Sequence, residues 1–322
     1  MREAAFVKQN LEQWQKYEKL LDNHKSTAPD LLAEIFIRIT DDLSFSRTQY
    51  PKSDTTHYLN NLASKIHLEI YKNKKEDKRR FITFWKYELP LLFRSAHKRL
   101  LYAFSIFSIA ALIGIVSVAN DDNFIRMILG DAYVNMTLEN IEKGNALAIY
   151  GKTEQTDMFF AITFNNVRVS FIAFAAGIVL SVGTGYILFS NGLMVGAFFA
   201  FLAKKGLLLN SLLIVMLHGT LELSAIVIAG AAGFVMGNSI LFPGTYRRID
   251  SFKYGAKKGL KIVMGLMPVF IVAGFIESFI TRYTFMHWSL KLAVILLSAA
   301  FIIYYFIIYP IKISNNAGTP ND

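Results

Sequence analysis

The sequence predicts an all-α protein, a polytopic α-helical membrane protein with an N-terminal cytoplasmic helical bundle, on three observations. After Leu100 the apolar residues gather into runs of a length that crosses a bilayer, which takes about 20 residues as a helix. Residues 1–99 are mixed and charged and hold no such run. Lys and Arg cluster beside particular apolar runs, as the positive-inside rule requires of cytoplasmic flanks.

In chain order, Phe6, Leu11, Trp14, Tyr17, Leu20 and Leu21 give a first helix one apolar stripe. A second begins after Pro29 and is stopped by Pro51. A third starts near Ser53 or Asp54, both good caps, and carries Tyr58, Leu59, Leu62, Ile66 and Ile70. These helices form a cytoplasmic domain over residues 1–78. Residues 79–99 mix basic residues with Phe81, Phe84, Trp85, Leu91, Leu92 and Phe93, which suits an amphipathic juxtamembrane helix on the bilayer surface, with Pro90 allowing a bend. Packing of that helix on the soluble bundle is the other option.

A transmembrane domain of about six helices fills residues 100–312, with spans near 100–119, 165–188, 191–203, 207–237, 260–280 and 288–309. The short third segment is open to two readings, a full crossing or one limb of a re-entrant hairpin. Lys98 and Arg99 precede the first span, and Arg247, Arg248, Lys253, Lys257, Lys258 and Lys261 follow the fourth, so both flanks are expected in the cytoplasm. The acidic loop 120–164 then lies outside, where Phe124, Met127, Ile128, Leu129, Tyr133, Met136 and Leu138 are spaced for a surface helix. Both termini fall in the cytoplasm and residues 313–322 form a polar tail. Lys204 and Lys205 fall outside on this count, against the rule.

The net charge is +10, but the basic residues sit beside apolar spans, where lipid headgroups account for them and nucleic acid is not expected. No signal peptide is expected, because residues 1–10 lack an apolar core segment. The absence of cysteine excludes disulfides and thiol chemistry.

The candidate site is His218 and Glu222, one helical turn apart within the fourth apolar run, where an ionisable side chain costs about 2.5–3.5 kcal/mol on insertion scales. Three roles are open to the pair: a structural polar contact, a proton or ion path, and a metal site. The last lacks a ligand, for which Glu277 and His287 are the membrane-level candidates, and HEXXH does not occur. No metal and no catalytic residue is therefore assigned. Asn165, Asn166, Arg168 and Glu277 are secondary polar positions; Glu277 and Arg282 stand five residues apart, and Pro268 is placed to kink their span. Small residues suited to close helix packing recur at Gly177, Ser181 and Gly185, at Gly192, Gly196 and Ala200, and at Ala225, Ala229, Gly233 and Gly237. They lead to an expected homodimer or larger homo-oligomer in contact with membrane lipids. Walker A, GXSXG, Rossmann and EF-hand motifs are absent, so no cofactor is expected and no enzyme is predicted.

HGTLELSAIVIAGAAG resembles the signature of the stage II sporulation protein M family of integral membrane proteins. FVKQNLEQWQKYEKLL, RTQYPKSDTTHYLNNLASKIHLEIY, FWKYELPLLFR and the region of Asn165, Asn166 and Gly192 extend the likeness over nearly the whole chain. The long N-terminal domain is similar to the larger, non-sporulation branch. The resemblance implies a scaffold or recruitment role in the cell envelope, since the best-known member joins the sporulation proteins D and P in a peptidoglycan-degrading complex at the bacterial inner membrane. It implies envelope proteins as partners and supplies no catalytic residue. A transporter or channel using His218 and Glu222 is the alternative.

Overall fold

The computed structural model describes residues 2–22, 29–72, 80–143, 154–281, 283 and 286–316. Every regular element among them is helical: α1 (Glu3–Asp22), α2 (Pro29–Gln49), α3 (Asp54–Lys72), α4 (Arg80–Asn120), α5 (Phe124–Leu129), α6 (Asp131–Glu142), α7 (Gln155–Ile178), α8 (Val182–Lys204), α9 (Leu208–Leu241), α10 (Arg248–Ile280) and α11 (Trp288–Asn316). The contacts divide the chain into two units, residues 1–80 and 81–322.

The first unit is cored by one face of each of α1–α3. Leu32, Ile35, Ile39 and Leu43 recur at helical spacing and close on Phe6, Trp14, Leu59, Leu62 and Ile66. Trp14 is buried and its indole Nε1 donates to Asp42 Oδ2 at 2.8 Å, so the largest core side chain carries no unmet donor. Ser53 Oγ accepts from the Thr56 amide and so caps α3. Leu11, expected in the stripe, is exposed, and Val7 packs against the core instead.

In the second unit α4, α7, α8, α9, α10 and α11 are each long and apolar enough to cross a membrane. Three boundaries differ from expectation. The first span is not preceded by a separate surface helix: residues 80–120 form one continuous helix, in which Leu89 and Phe93 enter the core of the membrane unit. The segment 165–188 is not one helix, because the chain reverses at Leu180 and Ser181, both at positive φ. The third segment thereby becomes the 23-residue helix α8, long enough for a full crossing. The basic stretch after the fourth span is not a loop but the start of α10, where Ser251, Gly255 and Gly259 face α9 while Lys253 and Lys257 stay exposed. A turn at Gly265 and Leu266 interrupts α10 just before Pro268, as the missing proline N–H dictates.

Pro90 in α4 and Pro310 in α11 are handled alike. Each follows a π-helical segment, Phe84–Glu88 or Tyr304–Ile308. Pro90 cannot donate to the Lys86 carbonyl, which accepts instead from the Tyr309 hydroxyl at 3.1 Å. Pro310 cannot donate to the Phe306 carbonyl, which His97 Nε2 approaches at 3.2 Å. The Tyr305 hydroxyl also donates to the Trp85 carbonyl at 2.7 Å. Each helix therefore satisfies the backbone that proline leaves open in the other.

Between α4 and α7, Gly130 at φ +83° separates α5 from α6. Their buried apolar residues are Ile125 and Val134, which pack with Phe201 and Leu202 near the end of α8, whereas Met127 and Met136 are exposed. Lys204 donates to Asp122 at 2.5 Å, and this contact holds the exposed Asp122 carboxyl below the usual carboxylate range. The basic end of α8 thus stands beside the end of α4, where Lys204 has an acidic partner.

Candidate functional site

α9 carries His218 and Glu222, which lie on one face because four residues advance a helix by about 400°. The i, i+4 relation does not make them each other's chief partner. His218 Nε2 faces Glu277 Oε1 at 3.7 Å, across to α10. Glu222 Oε1 accepts from Asn166 Nδ2 of α7 at 2.6 Å, and its carboxyl lies beside that of Glu277. The three ionisable side chains offer one nitrogen and two oxygens, all within 4.8 Å of one another.

Burial is deep: the side chains of His218 and Glu277 are 5% and 13% exposed. Glu277 lies in a π-helical segment of α10, Ile276–Ile280, whose widened turn lets the Thr281 amide donate to the Ile276 carbonyl. Thr281 was not anticipated. It is buried, and its hydroxyl lies 3.4 Å from His218 Nδ1 and 3.1 Å from the Ile276 carbonyl. Ser278, beside Glu277, is fully buried with its hydroxyl unpaired.

Of the secondary positions, Asn166 and Glu277 therefore join the site. Asn165 and Arg168 do not; both are exposed, and at about 100° per residue they cannot share the face of Asn166. His287 caps α11 by accepting from the Ser289 amide, and Arg282 lies outside the described residues.

The small residues are spent within the chain. A Cβ at Gly177 would strike the Gly233 backbone, one at Gly192 the Phe107 carbonyl, one at Gly196 the Ala111 backbone, and one at Gly237 Ser181 and Gly177. Gly233 sits against Thr184 and the Ala173 carbonyl, while Ala225 and Ala229 are fully buried in the main core. Two positions depart from the expected strips: Ser181 belongs to the reversal before α8, and Gly185 has nothing within 4 Å of a Cβ. These strips therefore pack helices of the same chain against one another.

Two apolar clefts flank α9. One of about 610 Å³ is lined by His97, Phe104, Thr220, Val227 and Ile303, the other of about 660 Å³ by Trp85, Leu221, Pro268, Ile276 and Leu297. Neither is lined by His218, Glu222 or Glu277.

Six spanning helices around an intramembrane His–Glu–Glu cluster define a multi-pass membrane protein with a polar centre in its helix bundle. The chain belongs to the Stage II sporulation protein M family, whose model matches residues 103–282 and so includes α7, α8, α9 and every member of the cluster. Residues 4–72 match a second family, described as a domain of unknown function (DUF8413). No curated protein and no solved structure matches the chain.

Proposed function

We propose that the protein is a non-enzymatic membrane platform of the bacterial cell envelope, seated in the inner membrane with both termini in the cytoplasm. Its cytoplasmic unit and its outer segment α5–α6 recruit envelope proteins, and lipid-facing helix surfaces bring copies together. The observation that carries this reading is the close packing of α7 and α10 on α9: glycine contacts lock these helices together beside the polar cluster, and the two apolar clefts on the flanks of α9 are not lined by it. A rigid bundle with a separately cored cytoplasmic unit suits recruitment.

A second reading, a transporter or channel for protons or ions, is favoured by three ionisable groups held together within helices, the composition that relays use. Glu222→Gln separates the two, because glutamine keeps the shape but cannot exchange a proton. The platform reading expects normal assembly, unchanged co-purification of envelope partners and full complementation of a deletion strain. Normal assembly and unchanged co-purification of partners with complementation lost would instead favour the second reading.

The orientation has its own test. Glu142 is exposed at the end of α6 and the chain has no cysteine, so Glu142→Cys offers one thiol. It is expected to react with an impermeant maleimide in intact spheroplasts. Reaction only after lysis would reverse the topology.

A further inference from the structure

We propose that His218, Glu222 and Glu277 form an intramembrane site for one first-row divalent cation of the Zn²⁺ type, clamping α9 to α10. Sequence spacing alone leaves such a site one ligand short; the fold supplies it as Glu277. Zn²⁺ binds imidazole nitrogen and carboxylate oxygen at about 2.0–2.2 Å, which places donor atoms roughly 3–4 Å from one another around the ion. His218 Nε2 and Glu277 Oε1, at 3.7 Å, already meet that spacing, and the full set lies within 4.8 Å.

Charge argues in the same direction. Two carboxylates and one divalent cation sum to zero, so a loaded cluster presents no net charge to its low-dielectric surroundings.

The groups behind the ligands are arranged as metal sites require. A ligating histidine ordinarily donates its other N–H to an oxygen, which fixes the tautomer and aims the ligating nitrogen. The Thr281 hydroxyl has a single hydrogen, which goes to the Ile276 carbonyl, so towards His218 Nδ1 it acts as acceptor. In that tautomer Nδ1 carries the proton and Nε2, which faces Glu277 at 3.7 Å, is the atom offered to the ion. Asn166 does for Glu222 what Thr281 does for His218: its amide holds one carboxylate oxygen and leaves the other for the ion. The π-helical turn that sets Glu277 and Thr281 is of a kind that concentrates at functional sites. One imidazole with two carboxylates suits Zn²⁺ and its first-row neighbours; Mg²⁺ and Ca²⁺ favour all-oxygen shells, and Cu(I) favours sulfur.

The test uses the full chain, purified without a polyhistidine tag into nanodiscs from cells grown with added Zn²⁺. Elemental analysis after desalting is expected to find close to one Zn²⁺ per chain in the wild type. X-ray absorption should show one imidazole nitrogen and a remainder of oxygen donors at about 2.0 Å, with no sulfur. Glu277→Gln and His218→Gln are expected to lose most of the metal, and Thr281→Val to bind about 10–100-fold more weakly. Returning Zn²⁺ to chelator-stripped protein should raise the thermal midpoint of the wild type and not that of monodisperse Glu277→Gln. Equal metal retention and equal thermal shifts in the wild type and Glu277→Gln would overturn the site, since surface histidines would then be the binders. Should both ligand variants fail to fold, Thr281→Val decides: unaltered affinity there refutes the arrangement. None of these readouts depends on recruitment or transport.

Discussion

Gly196→Leu is expected to abolish recovery of a monodisperse folded protein. At this position α8 lies directly on the backbone of α4, and a Cβ would overlap Ala111 main-chain atoms that no rotamer change can move. Overpacking a well-filled interior costs about 1–3 kcal/mol and sometimes more; a backbone obstacle places this case at or above the upper end. Gly185→Leu is the matched control. It lies on the same helix with open space around it, so its effect is expected within about 0.5 kcal/mol. Size-exclusion profiles and thermal unfolding in mild detergent measure both. Equal behaviour of the two variants would show that α4 and α8 do not approach this closely.

Trp14→Ala is expected to unfold the first unit while the membrane unit keeps its helical fold. Truncating a buried tryptophan costs about 3–5 kcal/mol, against a typical domain stability of about 5–15 kcal/mol. Trp14 is 1% exposed and central to a core of modest size. Trp14→Phe keeps most of the packing and loses the bond to Asp42, worth about 1 kcal/mol. Limited proteolysis across a temperature series should cut α1–α3 first in Trp14→Ala, and only slightly earlier than wild type in Trp14→Phe. Simultaneous loss of both units would mean that they unfold as one.

The helices of the first unit were readable because their apolar residues keep a 3.6-residue period and their ends carry Pro29, Pro51 and Ser53. The membrane helices were readable from length and composition. The reversal between α7 and α8 was not, because Leu180 and Ser181 take the positive φ normally signalled by glycine, and the nearby Gly183 and Gly185 lie inside α8. Nor was the unbroken course of α4 through Pro90, which depends on tyrosines more than 200 residues away. At the site, periodicity sufficed to put His218 and Glu222 on one face. It could not show that Glu277 and Asn166 reach that face from other helices, nor that Thr281 lies beside the imidazole, since these are tertiary contacts. The Ser251, Gly255 and Gly259 series was legible as four-residue spacing, but it was hidden among lysines that drew the stretch towards a loop.

The paired prolines bear on how the chain is made. α4 leaves the ribosome well before α11, and until α11 arrives the carbonyls of Trp85 and Lys86 lack the tyrosine donors they have in the finished fold. The Trp85 side of this turn is half-buried, where a hydrogen bond contributes about 0.5–1.5 kcal/mol, while the exposed Lys86 carbonyl can turn to water. A chain without α11 therefore lacks the donors that pair with the backbone before Pro90, and the last membrane helix is the one that completes the first.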